Sequence, residues 1–381
     1  MEYVNLGDVA TYINGYAFKP EQRGKKGLPI IRIQDLNGNS HDLGFFDGEY
    51  PEQVEINTGD ILISWSGSLG VYKWNKGKAL LNQHIFKVLF NKIEIDKEYF
   101  CYAIRNSLST MSQQTHGATM KHITKKDFDN ILIPYPDLNV QRQIANNLEI
   151  VNELIESYEK ELILLEQLIK ARFIEMFGDP SMNSHGLELL PMTRICEIID
   201  GDRGKNYPTA DDFTDDGYCL FLNAKNVTAS GFDFKTCMFI TKEKDSTLRK
   251  GKLSRDDVVL TTRGTIGNLA FYTSEVPFDN IRINSGMVIL RMKQNVMDEL
   301  FFIEQFKMQL KGIKEKIASG SAQPQLPISV MNKIQILVPN IKRQKEFTEF
   351  IKQVDKSREE VKKSLEKTKQ LYDSLMQEYF G

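Results

Sequence analysis

The sequence predicts an α+β fold in which two tandem globular α/β domains are linked by two long helices, with a pseudo-twofold internal repeat. The helices are expected to form an antiparallel coiled coil. The first observation is a repeat within the 381 residues: one constant shift places Gly117 on Gly320 and Gln141 on Gln344 without a gap. The second and third are short strand-like runs in each copy and a heptad-spaced stretch at the end of each copy.

The composition is that of a globular protein large enough for two or three domains, with 41% hydrophobic and 26% charged residues. No stretch approaches the roughly 18 apolar residues of a membrane span, so no membrane partner is expected. The net charge of −2 does not by itself indicate nucleic-acid binding, although it is compatible with a basic face balanced by acidic helices. Without a C-x-x-C pair, the cysteines are expected to be reduced structural thiols of a cytoplasmic protein: Cys101, Cys196, Cys219 and Cys237.

The first globular domain is predicted to span residues 1–143. Runs rich in branched and aromatic residues, separated by Gly, Asn, Asp and Pro, predict its strands. These runs are Leu28–Ile33, Asp60–Ser64, Ala79–Leu81 and Ile85–Phe90. A helix over Glu98–Met111 and a short apolar strand over Ile131–Pro134 complete the domain.

The second globular domain is predicted to span residues 190–342, after a linker over residues 179–189. Its opening segment Leu190–Gly201 matches Val4–Gly15. The predicted strands are Tyr218–Leu222, Val258–Thr261, Leu269–Tyr272 and Met287–Met292. A helix over Met297–Ile317 and a strand over Ile334–Pro339 follow.

The two long helices, over residues 144–178 and 343–381, carry the strongest periodic signal, because their apolar residues alternate in steps of four and three. In the first helix the seam is Ile144, Leu148, Val151, Ile155, Tyr158, Leu162, Leu165 and Ile169. In the second it is Phe347, Ile351, Val354, Val361, Leu365, Tyr372, Leu375 and Tyr379, with interruptions at Arg358 and Thr368.

The charges of these helices predict which surfaces pair. The first helix is rich in Glu over residues 149–175, and the second leans basic over residues 352–369. An acidic helix and a basic helix favour each other over self-pairing, which predicts one intramolecular antiparallel pair. The alternative is two separate amphipathic helices, each lying on its own domain.

A search for catalytic and metal-binding motifs finds none. Gly201-Asp-Arg-Gly-Lys205 has the wrong spacing for a phosphate loop. Ile133-Pro-Tyr-Pro136 is only distantly similar to the catalytic motif of amino-methyltransferases, and no glycine-rich methyl-donor motif accompanies it. The histidines lack metal-ligand spacing. The acidic stretch over residues 211–216 is either a divalent-ion cluster or, as favoured here, a solvated loop. We therefore predict no catalytic and no metal site.

Polar loops do recur at matched places in the two copies. Residues 60–70 match residues 257–267, with Trp65 roughly opposite Arg263, and their hydroxyl and backbone N–H groups suit phosphates. A tight hairpin is the alternative for this loop. Residues 116–122 match 319–325, 82–84 match 284–285, and 32–35 match 223–226.

Double-stranded DNA is the predicted ligand, because its twofold shape suits a twofold-repeated protein. Arg, Lys, Asn and Gln can contact base edges, and hydroxyl groups can contact phosphates. The candidates in the first copy are Arg32, Trp65, Ser66, Ser68, Lys73, Asn82, His84, His116, Thr119, Lys121 and His122. Those in the second are Arg203, Lys205, Asn206, Tyr207, Asn223, Lys225, Thr262, Arg263, Thr265, Asn284, Ser285, Ser321 and Gln323.

Several of these motifs, in this order and twice over, resemble the specificity subunit of type I restriction-modification systems. They include Leu6-Gly-Asp-Val9, the Gly-Asp-Ile-Leu-Ile-Ser run at 59–64, and His116-Gly-Ala-Thr119. Pro136-Asp-Leu-Asn-Val-Gln-Arg-Gln-Ile144 then runs into a long helix that closes with Phe177-Gly178. The resemblance covers essentially the whole chain, although Met192-Thr-Arg-Ile195 departs from the Leu-Gly-Asp start.

The resemblance implies a division of labour. Each globular part would be a target recognition domain that reads one half of a bipartite, asymmetric DNA target. The helices would set the spacing and dock two modification subunits, which bring S-adenosylmethionine and methylate adenine. Restriction subunits would add ATP- and Mg²⁺-dependent translocation and cleavage. This chain would bind no cofactor and would not be an enzyme by itself.

Two other classes of function stay open at this point. One is an autonomous nuclease or methyltransferase, which turnover without partner subunits would reveal. The other is a coiled-coil scaffold that binds proteins and not DNA, which lacks the steep salt dependence of phosphate contacts.

Overall fold

The computed structural model describes residues 2–39, 42–114, 124–318 and 325–381, and the chain divides into two compact units. Unit 1 consists of Met1–Glu159 and Lys363–Gly381, and unit 2 consists of Lys160–Lys362. Each unit therefore contains a globular part, one portion of the first long helix and one portion of the second.

Unit 1 begins with a short strand and ends its globular part with another. Its strands are β1 (Tyr3–Asn5), β2 (Thr11–Asn14), β3 (Leu28–Ile31), β4 (Phe45–Phe46), β5 (Glu55–Ile56), β6 (Ile61–Ser64), β7 (Gly70–Lys73), β8 (Ala79–Leu81), β9 (Ile85–Leu89) and β10 (Leu132–Pro134). Its helices are α1 (Leu6–Val9), α2 (Ile33–Leu36), α3 (Lys97–Gln114), α4 (Lys125–Asp129) and the start of α5 (Leu138–Phe177).

The strands of unit 1 form three sheets. The first is ordered β2-β9-β6-β7 and the second β4-β3-β8-β5, with β3 parallel to β8. The third is the antiparallel pair of β1 and β10, which joins the two ends of the globular part. Alternating side chains of the first sheet, such as Ile61, Ile63 and Phe86, pack against α3 residues Tyr99 and Phe100 in the main core.

Unit 2 repeats most of these elements, with an extra pair of short strands and, in the part of the chain described, no counterpart of α2. Its strands are β11 (Leu189–Pro191), β12 (Cys196–Asp200), β13 (Cys219–Leu222), β14 (Val227–Thr228), β15 (Gly231–Phe232), β16 (Phe239–Ile240), β17 (Val258–Thr261), β18 (Leu269–Phe271), β19 (Ile281–Ile283), β20 (Met287–Met292) and β21 (Gln335–Leu337). Its helices are α6 (Met192–Ile195), α7 (Lys242–Thr247), α8 (Glu299–Ala318), α9 (Ile328–Met331) and the start of α10 (Ile341–Phe380).

The sheets of unit 2 repeat the connections of unit 1. The order β12-β20-β17-β18 corresponds to β2-β9-β6-β7, and β11 pairs with β21 as β1 pairs with β10. The sheet β16-β13-β19 again contains a parallel pair. An antiparallel bridge between Lys252 and Arg282 stands where β5 pairs with β8. Arg282 therefore occupies the position of Leu80.

The strand and helix predictions are largely confirmed by these bounds. The predicted strand over Leu28–Ile33 is shorter, because Arg32 caps α2 and hydrogen-bonds to Asp35 three residues later. The two-residue strands and the pairing of β1 with β10 were not predicted, since runs this short carry little periodic signal.

The long helices pack antiparallel to each other inside each unit. In unit 1, Asn147 Nδ2 donates to Tyr379 Oη at 3.2 Å, and Lys369 Nζ lies 2.7 Å from Glu159 Oε1. In unit 2, Arg343 donates to the carbonyl oxygen of Met176 at 2.6 Å. The predicted antiparallel pair is confirmed, and the alternative of two helices lying each on its own domain is wrong.

Apolar contacts dominate this pairing. The predicted seam residues Ile144, Leu148, Phe347, Ile351 and Val354 are buried. By contrast Lys352, Arg358 and Lys362 form ion pairs within α10 itself. The proposed attraction between an acidic and a basic helix is therefore a minor contribution, because exposed ion pairs stabilise little.

The start of each long helix is fixed by a buried glutamine. Gln141 Oε1 accepts from the backbone N–H of Asp96 at 2.9 Å, and Gln141 Nε2 donates to the carbonyl of Pro136 at 2.8 Å. Gln344 makes the same two bonds, to Asp298 and to Pro339, at the same distances. The glutamines matched in the sequence thus perform one structural role twice.

The end of each long helix packs on the globular part of the other copy. Phe177, at the end of α5, meets Phe301 at a ring distance of 4.9 Å in unit 2. Phe380, at the end of α10, meets Tyr99 at 5.3 Å in unit 1. Among the described residues, no helix is long and apolar enough to cross a membrane.

Candidate nucleic-acid interface

Three loops converge in each unit around the start of β9 or β20. In unit 1 they follow β2, β6 and β8, and in unit 2 they follow β12, β17 and β19. A Cβ on Gly15 would lie 2.0 Å from the carbonyl oxygen of Asn82, and one on Gly201 would lie 2.2 Å from that of Asn284. Glycine is required at both places because the backbones touch. We call the three loops the loop edge of each unit.

The loop edge of unit 1 is built around Trp65. Its indole Nε1 donates to Asn14 Oδ1 at 3.2 Å, and its ring stacks on Phe86 at 5.5 Å. The imidazole of His84 meets the same indole edge-on at 5.0 Å. Asn82 belongs to the same loop as His84, and its Oδ1 is buried without a hydrogen-bond partner among the described residues. The structure thus brings Trp65, Asn82 and His84 together and adds Asn14.

The loop edge of unit 2 is built around two arginines. Arg203 donates through Nη2 to Asp200 Oδ1 at 3.1 Å and to the carbonyl oxygen of Ser285 at 3.2 Å. Both arginines line a cleft of about 230 Å³, together with Asp200 and Thr262. The Arg263 side chain is exposed. Asn284 lies in the neighbouring loop, where its Oδ1 accepts from the backbone N–H of Gly286 at 2.8 Å.

Residues 60–70 and 257–267 form tight hairpins, which was the alternative prediction for these loops. Ser64 Oγ donates to the carbonyl of Ser68 at 2.5 Å, and Thr261 Oγ1 donates to that of Thr265 at 2.5 Å. These two hydroxyls are therefore used inside the turn. The side chains of Ser68 and Thr265 remain exposed at the tips, and each tip contains a glycine with positive φ, Gly67 or Gly264.

The structure confirms the residue-by-residue match of residues 60–70 with 257–267, in which Arg263 lies one position after the residue that matches Trp65. The backbone N–H of Trp65 donates to the carbonyl of His84, whereas Thr262 makes the corresponding bond to Gly286. Trp65 therefore corresponds to Thr262, and Arg263 corresponds to Ser66. At this matched position the two units differ, because Ser66 is buried and Arg263 is exposed.

Arg32 and Asn223 stand at the ends of the matching strands β3 and β13. Each backbone N–H donates to a side chain three residues later, Arg32 to Asp35 Oδ2 at 2.8 Å and Asn223 to Asn226 Oδ1 at 2.9 Å. The Arg32 guanidinium also lies 2.9 Å from the Asp35 carboxylate and is 14% exposed. In this structure that guanidinium is engaged in holding its own turn.

The remaining described candidates lie at different places. Lys73 is at the far end of the β6–β7 hairpin from Trp65 and pairs with Glu98. Tyr207 adjoins the loop edge of unit 2, because its Oη accepts from the backbone N–H of Ser285 at 3.4 Å. The other side chains are exposed on nearby loops: Lys205, Asn206 and Lys225.

Six candidate residues lie outside the described residues. All of them belong to the glycine-containing segments 116–122 and 319–325 that match in the sequence. They are His116, Thr119, Lys121, His122, Ser321 and Gln323.

A buried network beneath the loop edge of unit 2 escaped the sequence analysis. The Asp202 carboxylate accepts backbone N–H bonds from Gly204 and Arg249, each at 2.7 Å. The bond from Gly204, followed by that from Arg249, holds the pKa of Asp202 below its ordinary value of 3.8. Nearby, Arg282 Nε lies 2.5 Å from the carboxylate of Asp245, and both side chains are 7% exposed. These charged residues lie in polar segments of the sequence that resemble exposed loops, so no sequence pattern predicts that they are buried.

Other titratable groups have structural surroundings. In the acidic stretch, the backbone N–H of Thr209 and then the Lys244 ammonium lower the pKa of Asp212 to about 2. Burial raises the pKa values of the Cys101, Cys196 and Cys219 thiols to about 12, which keeps them protonated. The described part of the chain contains no group of three His, Cys, Asp or Glu residues placed to hold a metal ion.

The fold is duplicated, and each copy has a polar loop edge at the same place. Residues 1–167 and 190–369 match the family model described as the type I restriction modification DNA specificity domain, and the chain belongs to this family. The resemblance deduced from the motifs is thereby confirmed, as is the predicted α+β fold.

Relatives and solved structures agree with this assignment. The chain is 23% identical to the specificity subunit of the type I restriction enzyme EcoBI of Escherichia coli, covering 99% of this chain and 85% of that protein. It is 26% identical to the MjaVIII specificity subunit of Methanocaldococcus jannaschii, covering 96% and 90%. The crystal structure of the S subunit from M. genitalium superimposes with a TM-score of 0.59 at 18% identity, covering 100% of this chain and 96% of that one.

Proposed function

We propose that this chain is the DNA-recognition subunit of a type I restriction-modification complex, in which each unit reads one half of a bipartite, asymmetric target. One observation carries the proposal: the two units share strand order and loop positions but differ in the polar side chains at the loop edge. Asn14 of unit 1 corresponds to Asp200 of unit 2, and Trp65 corresponds to Thr262. One scaffold with two sets of polar groups suits two different half-sites.

Each unit would combine contacts of two kinds. Contacts to phosphates set the position of the protein on DNA, and contacts to base edges carry the sequence information. The exposed Lys205 and Lys225 suit phosphates. The side chains at the loop edges are placed for contacts with base edges: Trp65, Asn82, Arg203 and Arg263.

The paired helices would fix the distance between the half-sites. Each comprises 40 residues, which at about 1.5 Å per residue corresponds to roughly 60 Å. Neither helix contains a proline or a glycine that would bend it. A stiff connection makes the second half-site contact effectively intramolecular, so modest half-site affinities combine.

The same helices would dock two modification subunits. Helix α5 exposes apolar side chains that a partner would cover, including Leu154, Leu164 and Leu168, which are 44%, 51% and 47% exposed. In this scheme the modification subunits supply S-adenosylmethionine chemistry, and restriction subunits supply the steps that need ATP and Mg²⁺. The chain itself contributes recognition and no catalysis.

Binding of duplex DNA at several salt concentrations tests the recognition role. The chain is purified with its modification subunit, and the logarithm of the affinity should fall linearly with the logarithm of the salt concentration, by about 0.9 for each phosphate contacted. A complex that binds no duplex DNA would favour a protein scaffold. Methylation or cleavage by the chain alone would favour an autonomous enzyme.

Shortening both helices tests the spacer role. Deleting seven residues within 151–165, with the opposing heptad of α10, should shorten the gap between half-sites by about 10 Å, or about three base pairs. Replacing the same heptad by another of equal length, with its seam residues kept, is the control and should leave the gap unchanged. An unchanged gap in the shortened variant would contradict the spacer role.

A further inference from the structure

We propose that the loop edge of unit 2 reads guanine, with Arg263 as the residue that contacts the base and Arg203 as a second donor beside it. The inference rests on the proposed DNA-recognition function and adds the identity of a base to it. It also assigns this chemistry to one unit, since unit 1 has no arginine at either position.

Arg263 combines a fixed backbone with a guanidinium that has no hydrogen-bond partner among the described residues. The preceding Thr262 is 5% exposed, and both its backbone N–H and its Oγ1 donate to the carbonyl of Gly286, at 2.8 Å and 3.0 Å. Its own carbonyl accepts from the backbone N–H of Leu326 at 2.9 Å. In the described ranges no hydrogen-bond acceptor or carboxylate pairs with the Arg263 side chain. The backbone that carries this side chain is therefore preorganised, and none of the described residues would have to release the guanidinium before a ligand binds.

Arg203 is oriented by its neighbours without being buried. One of its terminal nitrogens is shared between Asp200 Oδ1 and the carbonyl of Ser285, and its side chain remains 49% exposed. The loop beneath it is held by the buried carboxylate of Asp202. Its other N–H groups are therefore presented in a fixed direction beside Arg263.

The carboxylate of Asp200 distinguishes a base from a phosphate as the ligand. It is 26% exposed and lines the same cleft as both arginines. The carboxylate offsets part of the positive charge that the two arginines would offer to a phosphate, and it adds a hydrogen-bond acceptor that a phosphate cannot use. A G·C pair offers the O6 and N7 acceptors of guanine to an arginine and the N4 amino group of cytosine to a carboxylate. The set of donors and acceptor in the cleft matches that pair.

Unit 1 presents different chemistry at the same positions. Ser66 replaces Arg263 and is 8% exposed, and Asn14 replaces Asp200. An arginine-dependent preference for guanine is therefore expected in one half-site and not in the other.

The experiment is selection from a duplex pool with randomised bases, using the full chain in complex with its modification subunits. The wild-type complex should prefer guanine by about tenfold to a hundredfold at one position of one half-site. Arg263→Gln should abolish that preference while the other half-site and the gap stay unchanged. Arg263→Lys should keep a weaker preference, because lysine also donates to guanine. Arg194→Gln, which changes an exposed arginine of α6, is the matched control and should leave the motif unchanged.

Each outcome separates this inference from the proposed function. If Arg263→Gln lowers affinity and salt dependence but leaves the motif intact, Arg263 contacts phosphate and the inference is overturned. If the wild-type complex selects no sequence at all, the proposed function itself fails. Should Arg263→Gln not fold, Arg203→Gln is used instead, and loss of the guanine preference in the same half-site supports the inference. An unchanged motif in that variant overturns it.

Discussion

Units 1 and 2 share the order of their main strands and differ in the side chains at and below their loop edges. Gly15 and Gly201 allow the same close approach of two backbones, and Gln141 and Gln344 make the same pair of hydrogen bonds. Yet Leu80 belongs to an apolar cluster in unit 1, whereas Arg282 at the matching position of unit 2 joins a buried ion pair. The glycine contacts and the glutamine anchors are retained in both units, whereas the buried group at this matched position has diverged.

The largest effect should come from giving unit 2 the apolar residue of unit 1. Arg282→Leu leaves Asp245 in a buried site with Lys252 as its remaining charged partner, and removing one member of a buried pair costs about 3–5 kcal/mol. Hydrogen exchange in β19 and α7 should accelerate. Leu80→Met in unit 1 is the control and should cost less than about 1.5 kcal/mol. Unchanged exchange in the Arg282 variant would show that the ion pair is not needed.

A shared feature should cost the same in either unit. Gln141→Leu and Gln344→Leu each leave a backbone N–H and a proline carbonyl without their partner, at a cost of about 1–3 kcal/mol, and Gln344→Leu also removes a bond to the carbonyl of Val296. Hydrogen exchange at the start of α5 and of α10 measures the two effects separately. A large loss in one unit and none in the other would break the equivalence of the two anchors.

The carboxylate beneath the unit 2 loop edge should make that loop sensitive to acid. The folded-state pKa of Asp202 is lowered, so its stabilising contribution is complete above its ordinary pKa and is lost as the pH falls through the folded value. Asp202→Asn should therefore weaken protection of residues 200–206 at pH 7, and the difference from the wild type should shrink in acid. Equal protection of both proteins at pH 7 would contradict this role.

The smallest effect should come from the exposed ion pair between the long helices. Lys369 and Glu159 are each about half exposed, and pairs of this kind contribute about 0–1 kcal/mol. Lys369→Gln should hardly change the denaturant midpoint. A loss of several kcal/mol would restore the charge-based explanation of helix pairing.

The parts of the structure that a regular period encodes could be predicted from the sequence. The seam from Ile144 to Ile169 and strands such as β6 and β17 follow from the spacing of apolar residues. The convergence of Asn14, Trp65 and His84 could not be predicted, because it depends on pairings between distant strands.

Exchange of one globular part tests the central claim that two copies of a scaffold read two different half-sites independently. Residues 2–137 are replaced by residues 189–340, and the methylated sites of a genome are mapped with the chain in complex with its modification subunits. The half-site read by unit 1 should become a second copy of the half-site read by unit 2, with the gap preserved. A change in the other half-site, or in the gap, would contradict independent reading.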